Sequence, residues 1–144
     1  VTIAAKQLGS PAPAGGWPDW VFTVPYSASA HPQPIDLEPI ADGANCQRFA
    51  YAVLELFGRH IAPHRSSELW ADRSLQHIEA TEAQRLDLVL FNSTADAWGA
   101  HVAVALGGEL LHLCAEVGRP AVWRWSDFAA RDRYRVIVGV LRVA

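Results

Sequence analysis

The chain has 144 residues, 51% apolar and 19% charged, which is the composition of one globular domain and not of a disordered segment. Its formal net charge is −3 and its basic residues are spread along the sequence, which argues against a nucleic-acid partner, since such binding rests on a positive patch. No apolar run is long enough to span a bilayer, and the two cysteines make no disulfide framework, so neither a membrane partner nor a stapled scaffold is expected.

In chain order, residues 1–41 come first. "SPAPAGGWPDW" and "VPYSASAHPQPIDLEPI" hold too many prolines for a long helix. Yet Trp17, Trp20, Val21, Phe22 and Tyr26 are unlike the content of a disordered linker. The stretch is expected to be an extended arm packed on a domain made of residues 42–144. The N-terminus lacks the basic-then-apolar layout of a secretory signal, and the compartment stays open.

Residues 45–57 predict a helix. Asn45 is a good N-cap, Phe49, Ala50, Val53, Leu54 and Phe57 recur at helical spacing, and Gly58 is a stop. Cys46 opens the same stripe. A second, short helix is predicted from Ser66 or Ser67 through "SELWADRSL". The period then changes to that of strands: "LDLVLFN" (86–92), "HVAVAL" (101–106), "ELLHLC" (109–114), "AVWRW" (121–125) and "YRVIVGVLRV" (134–143). Gly107-Gly108 is a two-residue hairpin signal. "SDFAARD" predicts a short helix capped by Ser126. Helices followed by an antiparallel sheet make the fold class α+β.

Cys46 sits where a helix begins, near unpaired N–H groups and the positive end of the dipole, both of which favour the nucleophilic thiolate. The bland alternative is a small buried apolar residue. The hairpin supplies possible partners. With Gly107-Gly108 as the turn, Leu106 pairs with Glu109, Ala103 faces His112 and His101 faces Cys114. Alternation along the strands then puts His101, Ala103, His112 and Cys114 on one face. Two imidazoles on an otherwise apolar face need partners, and each other is one possibility. A nucleophile needs a base, and the base needs an orienting group. Cys46, His101 and His112 can fill those three places if the helix packs with Cys46 against the His101 face.

Other readings compete. Cys46, His101, His112 and Cys114 could instead form a tetrahedral zinc site, although no close pair of ligands marks one. Cys114 alone reads as a buried apolar residue. Trp123 and Trp125, on one sheet face, read as core. His31, His60, His64 and His77 have no partner legible in the sequence and are expected at the surface.

The order of these elements resembles the NlpC-type cell-wall peptidases, a compact family of papain-like cysteine peptidases. "NCQRF" (45–49) is similar to that family's D-C-S-G-F helix start, "PHRSS" (63–67) to P-R-x-S, and "LDLVLF" (86–91) to G-D-L-V-x-F. "HVAVALGG" (101–108) resembles H-V-x-I-Y-L-G-x-G, His112 matches the second His, and the resemblance runs over about residues 42–114. Gln47-Arg48 stand in place of Ser-Gly, and Leu86 in place of Gly. The family's Tyr shortly before the Cys has no nearby match; the nearest upstream is Tyr26, and the role is not carried over.

The resemblance implies a papain-like fold, with N-terminal helices packed on an antiparallel sheet. It implies Cys46 as nucleophile, His101 as general base and His112 as the orienting residue, with Arg65 and Ser67 bordering the substrate. It implies a hydrolase that cleaves an amide bond through an acyl-enzyme, with peptidoglycan stem peptides as the candidate substrate, no cofactor, and a secreted or cell-envelope location. The alternatives are an amidase or acyltransferase acting on another small molecule, and a papain-like domain that binds without turnover or that binds zinc.

Overall fold

The computed structural model describes residues 2–35 and 38–144. Four α-helices occur among them: Trp20–Thr23 (α1), Cys46–Glu55 (α2), Ser66–Ala71 (α3) and Trp125–Ala129 (α4). Six strands follow one another as Gln76–Ile78 (β1), Leu88–Asn92 (β2), His101–Ala105 (β3), Glu109–Leu113 (β4), Pro120–Arg124 (β5) and Val136–Arg142 (β6). They pair antiparallel in the order β1-β6-β2-β3-β4-β5. The fold class is α+β, as expected, with the helices packed on one antiparallel sheet.

The hairpin register is the one the glycine pair predicts. Val104 pairs with Leu111 and Ala105 with Leu110, and Leu106 N–H donates to Glu109 O at 2.8 Å. Gly107, at φ 111°, takes a conformation that L side chains rarely adopt. Helix α2 is capped as expected, with Asn45 Oδ1 accepting from Arg48 N–H at 2.9 Å.

Three local expectations are corrected. Helix α3 stops at Ala71 because Asp72 turns the chain, accepting from the Ser74 N–H at 2.9 Å and from its hydroxyl at 2.7 Å. Strand β1 was not anticipated; its three residues lie on the sheet edge with little burial, so no alternation marks them. Trp125 belongs to α4 and not to a strand. The helix begins one residue before Ser126, with Asp127 accepting the Arg124 N–H at 2.8 Å.

The sheet separates two apolar clusters. On one face Leu88, Leu90, Val102, Val104, Leu111, Leu113 and Leu141 meet Phe49, Ala50, Val53 and Leu54 of α2, all fully or almost fully buried. Each large side chain so buried contributes about 1.5–3 kcal/mol. The same cluster takes in Ile3, Leu8, Val21 and Val24. Trp17 stands edge-on to Phe57 at 5.6 Å and Trp20 edge-on to Phe49 at 6.1 Å. Arg85 donates to Leu8 O and Pro11 O, and Arg119 to Thr23 O, which tie the N-terminal stretch down. The N-terminal stretch thus packs on the edge of the α2 stripe at Phe49 and on Phe57 just beyond the helix. On the opposite sheet face Val89, Phe91, Ala103, Ala105, Leu110 and Val140 pack with Phe128 and Tyr134.

Trp70 of α3 lies across β6 at Gly139, where a Cβ would overlap the indole. Only a residue without a side chain lets the ring seat there. Gly139→Ala is expected to destabilise the fold by about 1–3 kcal/mol through forced displacement of Trp70. A urea-unfolding midpoint equal to that of the unmodified protein would remove this contact from the account.

Candidate active site

The start of α2 is wired to two other segments. Asn45 Nδ2 donates to Gln47 Oε1 at 3.1 Å, Gln47 Nε2 donates to Ser66 Oγ at 2.6 Å, and Ser66 Oγ–H donates to Ala100 O at 2.5 Å. Ala100 precedes His101. One polar chain thus sets the helix start, the α3 start and the β3 start relative to each other, at a depth where unpaired groups would be costly. Arg48, only 8% exposed, donates to Gly43 O at 3.1 Å and to Glu38 O at 2.6 Å. Gln47 and Arg48, which replace the small residues of the resembling motif, are buried groups that brace the segment around Cys46.

The packing expected of α2 is corrected here. Its apolar stripe lies on the Val102, Val104, Leu111 and Leu113 face, whereas His101 and His112 belong to the other face, among Trp123, Phe128 and Tyr134. Cys46 comes near His101 because the helix begins at the end of the sheet, where β3 starts. The Val102 N–H reaches the Cys46 thiol there. Burial pushes that thiol up from its ordinary pKa; the N–H groups of Val102, Gln47 and Cys46 and the charge of Arg65 oppose the shift without cancelling it.

His101 Nε2 and His112 Nδ1 lie 2.8 Å apart, with the rings nearly perpendicular at a centroid distance of 5.0 Å. Burial, then the Arg133 charge, lowers the His101 pKa to about 3. Burial, then the charges of His101 and Arg131, holds His112 well below the ordinary histidine value. Both imidazoles are neutral near pH 7.

A cleft of about 430 Å³ opens over this junction, and Cys46, His101, Arg65, Cys114, Arg133 and Tyr26 are among the residues that line it. His112 lies behind His101. Ser67 is on the first turn of α3 and does not line the cleft, whereas its neighbour Ser66 is the buried link to Ala100. Tyr26, twenty residues before Cys46 in sequence, reaches the cleft. Its segment runs back alongside the residues before Cys46, with a parallel bridge to Ala44, Ala44 N–H donating to Pro25 O and Asn45 N–H to Ala30 O. No spacing rule marks such a return; only the aromatic, proline-rich character of the arm hinted that it packs. Its phenol pKa is raised, first by burial and then by Cys46.

Cys114 is 2% exposed and shares a hydrogen bond with the Tyr134 hydroxyl. Among the described residues no group of three or more His, Cys, Asp or Glu side chains converges to hold a metal ion, so the zinc alternative has no site. Leu86 keeps a left-handed backbone, φ 73°, at the position where the resembling motif has Gly, and its N–H donates to Ala105 O at 2.7 Å.

The neutral, buried histidines make stability depend on pH. An unfolded histidine takes a proton below about pH 6.5, whereas folded His101 resists protonation until about pH 3. The unfolded state therefore binds more protons in that window, and stability falls as the pH drops through it, by up to about 1.4 kcal/mol per pH unit for each histidine. Urea-unfolding midpoints should fall between about pH 7 and about pH 5, with a shallower slope in His112→Gln. A flat profile in the unmodified protein would contradict the burial argument.

No protein-family model matches the sequence, and no curated protein matches it. Solved structures do. The peptidoglycan hydrolase RipB from Mycobacterium tuberculosis is similar at a TM-score of 0.55 and 22% identity, over 82% of this chain and 56% of that one. A lipoprotein-like NLP/P60 family protein from Staphylococcus aureus matches at 0.55 and 26%, over 84% and 37%. An NlpC/P60 family protein from Bacillus cereus matches at 0.55 and 14%, over 88% and 43%. The chain thus spans between 37% and 56% of the length of these structures. With its helices packed on one antiparallel sheet, the chain has the fold of these NlpC/P60 structures.

Proposed function

We propose that the chain is a cysteine hydrolase that cleaves an amide bond through an acyl-enzyme. Cys46 is the nucleophile, His101 the general base and His112 the residue that orients His101. One observation carries the reading. His101 is held through Nε2 by His112 Nδ1 at 2.8 Å, in the cleft onto which Cys46 opens. In this reading residues 42–144 form the catalytic body and residues 1–41 an arm that contributes Tyr26.

The chemistry follows from the groups present. The thiol and imidazole are both neutral at rest, so the proton leaves sulfur for His101 Nδ1 as the sulfur attacks the carbonyl carbon. The N–H groups at the start of α2, that of Cys46 included, receive the developing oxyanion, and the neutral Tyr26 hydroxyl stands beside them as a further donor. The tetrahedral adduct collapses, the C–N bond breaks, and His101 returns the proton to the leaving amine. His101 then takes a proton from water, hydroxide attacks the thioester, and the thiol is re-formed with release of the acid.

Arg65 and Arg133 support an anionic substrate, of which peptidoglycan stem peptides are the first candidates. Both line the cleft, and neither guanidinium has an ion pair among the described residues. Arg65 is felt at Cys46 and Arg133 at His101.

Cys46→Ala is expected to keep the fold, by circular dichroism, and to lower turnover of stem-peptide fragments or simple amides at least about 1,000-fold, followed by mass spectrometry. An active alanine variant would sink the hydrolase reading. The charge of the cleft has its own test. Iodoacetate should label Cys46 faster relative to iodoacetamide than it labels a free thiol, and Arg133→Gln should reduce that ratio. An unchanged ratio would remove Arg133 from substrate recognition.

A further inference from the structure

His112 raises a question about protons. Its ring is 1% exposed, its Nδ1 is bonded to His101 Nε2, and its Nε2 is buried with no hydrogen-bond partner. A neutral imidazole has one N–H and one lone pair, so two arrangements of the pair exist. If His112 carries its proton on Nδ1, it donates to His101 Nε2. His101 must then be protonated on Nδ1, and that nitrogen cannot take the proton of a thiol. If His112 carries its proton on Nε2, His101 Nε2–H donates to His112 Nδ1, and His101 Nδ1 keeps a lone pair. The bond length fits both, so the surroundings of His112 Nε2 decide.

Nε2 lies across the ring from Nδ1 and so points away from His101. The ring neighbours of His112 are His101, Trp123 and Phe128. Phe128 also contacts His101 and therefore lies over both rings. Trp123 contacts His112 at 4.2 Å and 65°, and the ring contacts of His101 run instead to His112, Phe128 and Tyr134. Strand β4, which carries His112, lies between β3 with His101 and β5 with Trp123, so Trp123 flanks His112 on the side away from His101. An indole face is electron-rich; it attracts an N–H and repels a lone pair. The indole is itself held. The Arg131 guanidinium stands 4.0 Å from its centroid, tied by Glu116 at 2.9 Å and by Asp127 O at 2.8 Å.

We infer that Trp123 is a positioning residue: it receives the His112 Nε2–H on its indole, sets the tautomer of both histidines, and so leaves His101 Nδ1 free for the Cys46 proton. The purpose of this arrangement rests on the hydrolase reading, but its test does not. Long-range proton–nitrogen correlation NMR on the full chain near pH 7 should show His101 and His112 both protonated at Nε2. Protonation of His112 at Nδ1 would overturn the inference. Trp123→Leu should move His112 toward the Nδ1–H form and slow iodoacetamide labelling of Cys46 roughly tenfold, and Trp123→Phe should restore both. Unchanged tautomers in a folded Trp123→Leu protein would also overturn it. If that variant does not fold, Trp123→Met is read in its place, with the same two outcomes. Retained hydrolysis by Cys46→Ala would defeat the hydrolase reading and leave the tautomer result standing.

Discussion

The burial of helix α2 is the constraint on which the site depends. Its stripe of Phe49, Ala50, Val53 and Leu54 is pressed on the sheet, and Trp20 and Trp17 of the arm pack on Phe49 and on Phe57 just beyond the helix. A helix whose whole apolar stripe is buried cannot roll or slide without exposing large apolar area, at about 25 cal/mol for each Å². Its first residue is then held at one place, the end of the sheet where β3 begins. The polar chain from Gln47 through Ser66 to Ala100 fixes the remaining freedom at that end. Packing sets the coarse position and hydrogen bonds set the fine one.

Two opposed effects meet at Cys46. A helix start favours thiolate, and burial favours thiol. Here burial prevails, even with three N–H groups and Arg65 nearby. The same burial keeps the histidines uncharged. In the proposed reaction the thiol and the two imidazoles start uncharged, and charge develops only as the substrate arrives. The aromatic surround of Trp123, Phe128 and Tyr134 buries His112 almost completely and leaves His101 only its edge on the cleft.

The replacements relative to the resembling family have physical roles. Gln47 and Arg48 are bulkier than the residues they replace, and both are absorbed as braces, one toward Ser66 and the other toward the 38–43 segment. Leu86 holds a backbone conformation suited to glycine, which costs an L-residue about 1–2 kcal/mol. Its side chain is 6% exposed within the α2 cluster, and that burial offsets the strain.

Much of this was legible along the chain, because the relevant signals are local. The Asn45 cap, the helical spacing after Cys46 and the Gly107-Gly108 turn are short-range, and the turn alone dictates that His101 and His112 share a face. The α+β class follows from the change of period near residue 86. Three matters needed the tertiary structure. Which sheet face α2 covers is not encoded in its stripe, since both faces of the sheet are apolar. Tyr26 reaches the cleft only because its segment pairs beside Ala44, a contact that no linear spacing announces. Ser66 links α3 to β3 because the α3 start turns its hydroxyl inward toward Ala100. Sequence determined which chemical groups are present and on which local element each rides; packing decided where those elements meet, because burial energy is a property of surfaces brought together and not of residues in a row.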